Sequence, residues 1–211
     1  MKTNYFNNYT SQGFLVPLAF FLTINTILYP LFGVLSIIIP ILLTLFLIRS
    51  IDTHLWKNPL FNWMFTIKDI SGTYRGRQEC HVFIEENNCE KRLIYIDVDI
   101  IITQTASEIK VDSFYTYDKR DPSHSKSKFC FISKINDHNY ELVYNYENGG
   151  KESLDRLATK DKHEGACFSK ITIKNGEYFL NGRYYANRKP LPSSGIFPNI
   201  KRISKDITHP F

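Results

Sequence analysis

The stretch LIYIDVDIII, Leu93–Ile102, decides the fold. Ile94, Ile96, Val98, Ile100 and Ile102 alternate with Tyr95, Asp97 and Asp99, and a period of two marks a strand with one face in a core and the other in water. The isoleucine and valine set is expected to face inward. Before it, GTYRGRQECHVFIEE runs to a turn at Asn87-Asn88; after it come EIKVDSFYTY, KFCFISKI, YELVYNY, ACFSKITIK, EYFLNGRYYANR and GIFPNIKRIS. Turn chemistry separates them at NDHN and at Asn175-Gly176. DKRDPSHSKSK and the connection from Glu147 to Glu164 read as polar loops, with Lys151 to Thr159 able to form one short helix. Successive strands on short turns fit a closed, eight-stranded, antiparallel up-and-down β-barrel, with a β-sandwich as the alternative. Pro198, which lacks a donor, marks a bulge at the closing seam.

The same parity fills the interior with tyrosine. Tyr115 and Tyr117 share a face with Ile109 and Val111, Tyr144 and Tyr146 with Leu142, and Tyr178 and Tyr184 with Leu180. Arg188 continues the face of Tyr184, and Arg202 that of Ile196 and Ile200. Tyrosine rings stack on nucleobases and an enclosed guanidinium pairs bidentately with a phosphate. The candidate ligand-binding residues are therefore Tyr74, Tyr115, Tyr117, Tyr144, Tyr184, Arg188 and Arg202. On the plainer reading, the tyrosines fill a core with their hydroxyls at the rim and the arginines reach water. A one-residue bulge would instead turn Arg75, Arg77 and Arg183 inward.

Ahead of the strands, FLVPLAFFLTINTILYPLFGVLSIIIPILLTLFLI, Phe14–Ile48, carries no charge. About 20 residues cross a bilayer, so this run is long enough for two short passes and too long for a cleavable signal. Pro30 and Gly33 in YPLFG suggest the reversal, leaving spans Phe14–Leu28 and Leu35–Ile48. Tyr5, Tyr9 and Trp56 are expected at the interface, and Lys2, Arg49 and Lys57 place both termini in the cytoplasm. The organisation that follows is a transmembrane hairpin over 1–50, a juxtamembrane linker over 51–69 and a cytoplasmic barrel over 70–211.

Lysine and arginine total 26 against 21 acidic residues, a net charge of +5. Interspersed and weak, it does not make a surface for duplex nucleic acid, but it suits one small anionic ligand. Cys80, Cys89, Cys130 and Cys167 lack C-x-x-C spacing and are expected as free thiols in a cytoplasmic domain. The six histidines are scattered, and no G-x-S-x-G, Walker loop or H-E-x-x-H is present. Neither catalysis nor a metal nor a resident cofactor is expected.

The amino-terminal apolar pair, the stretch WKNPLFNW, the opening strand SGTYRGR and the closing pair LNGRYYANRKP and SSGIFPNIKRIS resemble the SMODS-associated two-transmembrane, β-strand-rich effectors of bacterial CBASS antiphage defence. That family's opening strand carries G-x-W-x-G; Gly72, Tyr74 and Gly76 hold the pattern with tyrosine for tryptophan. The resemblance implies a multi-pass inner-membrane protein whose barrel binds a cyclic dinucleotide or related cyclic oligonucleotide made by a partner nucleotidyltransferase. It implies further that the liganded protein forms homo-oligomers and disrupts the membrane, arresting growth or killing the cell. Two other classes fit the residues: a membrane-anchored, lipocalin-like carrier of a lipid, and a purely structural interaction module.

Overall fold

The computed structural model describes residues 8–33, 37–84, 90–117, 121–151, 162–187 and 192–207. The chain forms two compact units, Met1–Asp69 with Gln104–Glu108, and Ile70–Thr103 with Ile109–Phe211.

The first unit holds two helices, α1 (Leu15–Phe32) and α2 (Ile38–Thr53). Together with the 3-10 turn before it, α1 makes an apolar helical stretch of 22 residues, Ser11–Phe32, long enough to cross a bilayer. Its threonine hydroxyls are satisfied locally: Thr23 and Thr26 donate to the carbonyls of Ala19 and Leu22, each at 2.8 Å. The end expected at Leu28, ahead of Pro30, is overturned: Pro30 sits in the last turn, and the helix runs to Phe32 with Gly33, φ +55°, as its cap. Proline lacks the donor for only one i−4 carbonyl, and three residues later the helix is capped by a glycine. α2 has 16 residues, about 24 Å of rise against the roughly 30 Å needed, and Ile51 and Asp52 in its last turn are buried. The helix that passes the length test is thus the first one.

Beyond α2 the chain makes two 3-10 turns, Leu55–Lys57 and Asn62–Met64. Tyr9 and Trp56, expected at a membrane interface, instead pack in a buried cluster with Ile51, Met64, Phe65 and Ala106. Apolar burial within the unit outcompetes the interfacial preference of those rings. Tyr5 lies outside the described residues.

The second unit is the expected barrel. Its strands are β1 (Gly72–Ile84), β2 (Glu90–Gln104), β3 (Ile109–Tyr117), β4 (Asp121–Asn136), β5 (Asn139–Lys151), β6 (His163–Lys174), β7 (Glu177–Ala186) and β8 (Ser193–Ser204). They form one closed sheet in sequence order, and β1 pairs antiparallel with β8 to close it. The β6–β7 turn is the Asn175-Gly176 pair, with φ +52° and +79°, the left-handed geometry of a two-residue hairpin.

Two expectations are corrected here. Most of DKRDPSHSKSK is strand rather than loop: β4 starts at Asp121, and Ser125 is buried while Lys126 and Lys128 are exposed. On β8, Ile196 faces out and Phe197 faces in. Between Leu180 and Gly182 on β7, the partner strand takes one extra residue, with Asn199 at φ +57°. This bulge follows Pro198 and inverts parity, so Arg202 shares a face with Ile200 but not with Ile196.

Candidate functional site

The lumen has two zones. At the end where β1 begins, Tyr74, Ile100, Ile102, Val111, Leu142, Ile171, Leu180 and Ile200 are buried into an apolar plug. Toward the end where β7 finishes at Ala186, the inward positions turn polar. Gln78, Cys80, Ser113, Ser125, Tyr144, Asn148, Cys167, Ser169 and Tyr184 are all at least nine-tenths buried there.

Register organises this second zone as a belt. Cys80 pairs with Gly195, Gly195 with Tyr184, Tyr184 with Cys167, Cys167 with Tyr144, and Tyr144 with Cys130. Bulky rings lie over residues without side chains: a Cβ at Gly195 would sit 2.5 Å from Tyr184 Cε1, and one at Gly165 would strike the Tyr146 ring. Glycine is required at both places by this close approach.

Hydrogen bonds knit the belt. The Gln78 amide donates to Cys80 Sγ at 2.9 Å, and Cys167 Sγ lies 3.1 Å from Ser169 Oγ. Asn148 Nδ2 donates to Ser123 and Ser125 at 2.9 and 2.8 Å. Tyr115 bonds with Ser113 and Ser125, while Tyr184 lies against Cys80 and Gln78. Gln78 Oε1 is buried and finds no donor among the described residues.

No charge enters this network at neutral pH. Burial pushes the phenols of Tyr115, Tyr144 and Tyr184 above their ordinary value, partly offset at Tyr115 by the Ser113 and Ser125 hydroxyls. The Cys167 thiol is raised to about 11, again by burial first. Cys80, Cys130 and Cys167 form no disulfide with one another; Cys89 lies outside the described residues.

Of the residues expected to form the site, the structure brings together Tyr115, Tyr144 and Tyr184. Tyr74 and Arg202 stand apart at the other end, as register partners on β1 and β8. The Tyr74 hydroxyl donates to the Ile70 carbonyl at 2.7 Å. Arg202 donates to the Ser71 carbonyl at 3.2 Å, with its guanidinium 3.5 Å from the Tyr178 ring centroid. Both side chains pin the strand where the chain enters the barrel. Arg188 and the Tyr117 side chain lie outside the described residues. Arg75, Arg77 and Arg183 point outward, the first two paired with Asp99 and Asp97 at 2.7 and 3.0 Å.

Sequence reasoning passed over Gln78, Ser113, Ser125, Asn148 and Ser169. Parity could have found them: Gln78 lies two residues before Cys80, Ser113 between Val111 and Tyr115, and Asn148 two after Tyr146. They were missed because a small polar residue gives no apolar beat to count.

Comparison with family models, with characterised proteins and with solved structures returned no match.

Proposed function

We propose that the protein is a membrane-anchored sensor and effector whose barrel receives a cyclic oligonucleotide at the Ala186 end. The observation that carries this reading is the buried, uncharged belt of phenol, hydroxyl, thiol and amide groups with an undonated Gln78 Oε1. A nucleobase matches it, bringing a flat face for tyrosine and ring or exocyclic N–H groups for the amide oxygen. Arg188, two residues past the end of β7, supplies the cation for a phosphate. Tyr115, Tyr144 and Tyr184 form the ring-stacking part of the site, and the Tyr184 ring swings off Gly195 to admit the base.

In this proposal α1 and α2 form a two-pass hairpin in a bacterial inner membrane, with both termini and the barrel in the cytoplasm. Ligand made by a partner nucleotidyltransferase brings liganded chains together. Their short spans then perturb the bilayer enough to arrest or kill the cell as an antiphage response. A lipid carrier is disfavoured by the same belt, since an acyl chain there would leave buried hydroxyl and amide groups facing hydrocarbon.

The test is calorimetric titration of the full chain in detergent with a panel of cyclic di- and trinucleotides, and with a fatty acid. Saturable binding of one cyclic nucleotide, weakened at least tenfold in Gln78→Leu and in Arg188→Ala, supports the reading. Binding of the fatty acid alone replaces it with the carrier.

A further inference from the structure

We infer that the segment from Lys57 to Trp63 is a wedge that enters the headgroup region of the bilayer spanned by α1, with Leu60 and Trp63 as the inserted side chains. The inference rests on the membrane anchoring proposed above and concerns a surface that the ligand reading does not use.

The segment sends its large side chains two ways. Trp56 and Met64 turn into the buried cluster, whereas Leu60 and Trp63 remain 74 % and 47 % exposed. Their exposure is built by a folded turn. Asn58 N donates to the Leu55 carbonyl at 2.8 Å, Phe61 N to the Asn58 carbonyl at 2.9 Å, and Leu60 N to Asn58 Oδ1 at 3.0 Å. The indole N–H of Trp63 donates to the Leu60 carbonyl at 2.8 Å. The one polar group of that ring is thus satisfied inside the turn, so the ring can leave water without losing a hydrogen bond.

Position identifies the medium. Thr10 N donates to the Met64 carbonyl at 2.7 Å, and Thr10 Oγ1 to that of Trp63 at 3.4 Å. A Cβ at Gly13 would strike Met64, so backbone meets backbone there. The helical stretch able to cross a bilayer begins at Ser11. Whatever depth the start of that stretch takes, the turn bearing Leu60 and Trp63 takes it too, and the start of a spanning helix lies at the interface. Charge does not oppose it: exposed Arg49, Lys57 and Lys68 stand against exposed Glu108 and half-buried Asp69, the latter 3.0 Å from Lys57, while Asp52 is buried.

The test uses the full chain in vesicles of phosphatidylcholine and phosphatidylglycerol, with lipids brominated at a shallow or a deep acyl position. The two tryptophans are separated by subtracting the spectrum of Trp63→Phe, a change at an exposed ring that leaves the buried cluster intact. The expected result is loss of the Trp63 emission with shallow bromines, less with deep ones, and no loss with aqueous iodide. Quenching by iodide and not by brominated lipid overturns the wedge. Alkaline carbonate extraction of the same vesicles separates the two failures. Retained chain with Trp63 in water sinks the wedge alone, and extracted chain sinks the anchor and the wedge together. Leu60→Asp provides a second variant, expected to shift Trp63 emission to the red while Trp56 emission stays fixed.

Discussion

The Asp52 carboxylate, buried at the end of α2, accepts the backbone N–H of Ser107 at 2.9 Å, while the Asp52 carbonyl accepts that of Ala106 at 3.0 Å. Asn8 Nδ2 closes the same knot by donating to the Ala106 carbonyl at 3.0 Å. The tip of the β2–β3 hairpin is thereby part of the helical unit, although its strands belong to the barrel.

Asp52→Ala is expected to strand the Ser107 donor in a buried place, at a cost of about 1–3 kcal/mol. Asp52→Asn keeps an acceptor oxygen and is expected to cost less. Hydrogen exchange at the Ser107 amide checks this: exchange should quicken at least several-fold in the alanine variant, and unchanged protection would refute the role given to the carboxylate.

Gly165→Ala and Gly195→Ala should each destabilise the barrel by roughly 1–3 kcal/mol through overpacking. Rings and backbone carbonyls of neighbouring strands, Tyr185 for the first and Glu79 for the second, stand where the methyl would go. Gly149→Ala, with nothing within 4 Å of its added carbon, is the tolerated control. Urea midpoints of the three variants decide.

Alkaline pH should weaken the barrel from about pH 9 upward. The Cys167 thiol is raised from 9.0 to about 11 in the folded chain, so its contribution is intact below the unfolded value and is lost as pH climbs through the folded one. That difference corresponds to an effect on the order of 3 kcal/mol. Tyr115, Tyr144 and Tyr184, also raised, extend the loss to higher pH. Denaturation midpoints against pH should show the first part of this decline flattened in Cys167→Ala.

The outward arginines offer a control for the ligand site. Arg77→Ala and Arg183→Ala are expected to leave nucleotide binding unchanged, and Arg75→Ala to cost under about 1 kcal/mol despite its pairing with the partly covered Asp99, since the Arg75 side chain is largely exposed. Loss of binding in either of the first two would mean that the ligand sits outside the barrel.

The barrel was legible wherever an inward residue was greasy and its neighbours were not, as from Ile94 to Asp99. It faded where the lumen itself is polar: Ser123, Ser125, Ser127 and Asn148 keep the two-residue beat, but on a hydropathy count they look like loop. The bulge after Pro198 was anticipated, yet its inversion of Ile196 and Phe197 depends on which neighbour absorbs the extra residue. The burial of Trp56 depends on contacts with Tyr9 and Ala106, distant in sequence, which no local pattern encodes. For the site, parity gathered Tyr115, Tyr144 and Tyr184, but could not tell that Arg202 stands at the opposite mouth, because strand tilt and length set that position.

Closure of the sheet by β1 and β8 also shapes how the chain is made. Seven of the eight strands can pair with the strand synthesised just before them, a local order that favours rapid zipping. β1 alone keeps an open edge until the last strand emerges. During that wait its outward positions carry Arg75 and Arg77, charges of the kind that discourage a second nascent chain from adding to an exposed strand. The seam that completes the barrel is thus the last event of its biogenesis, and its most vulnerable.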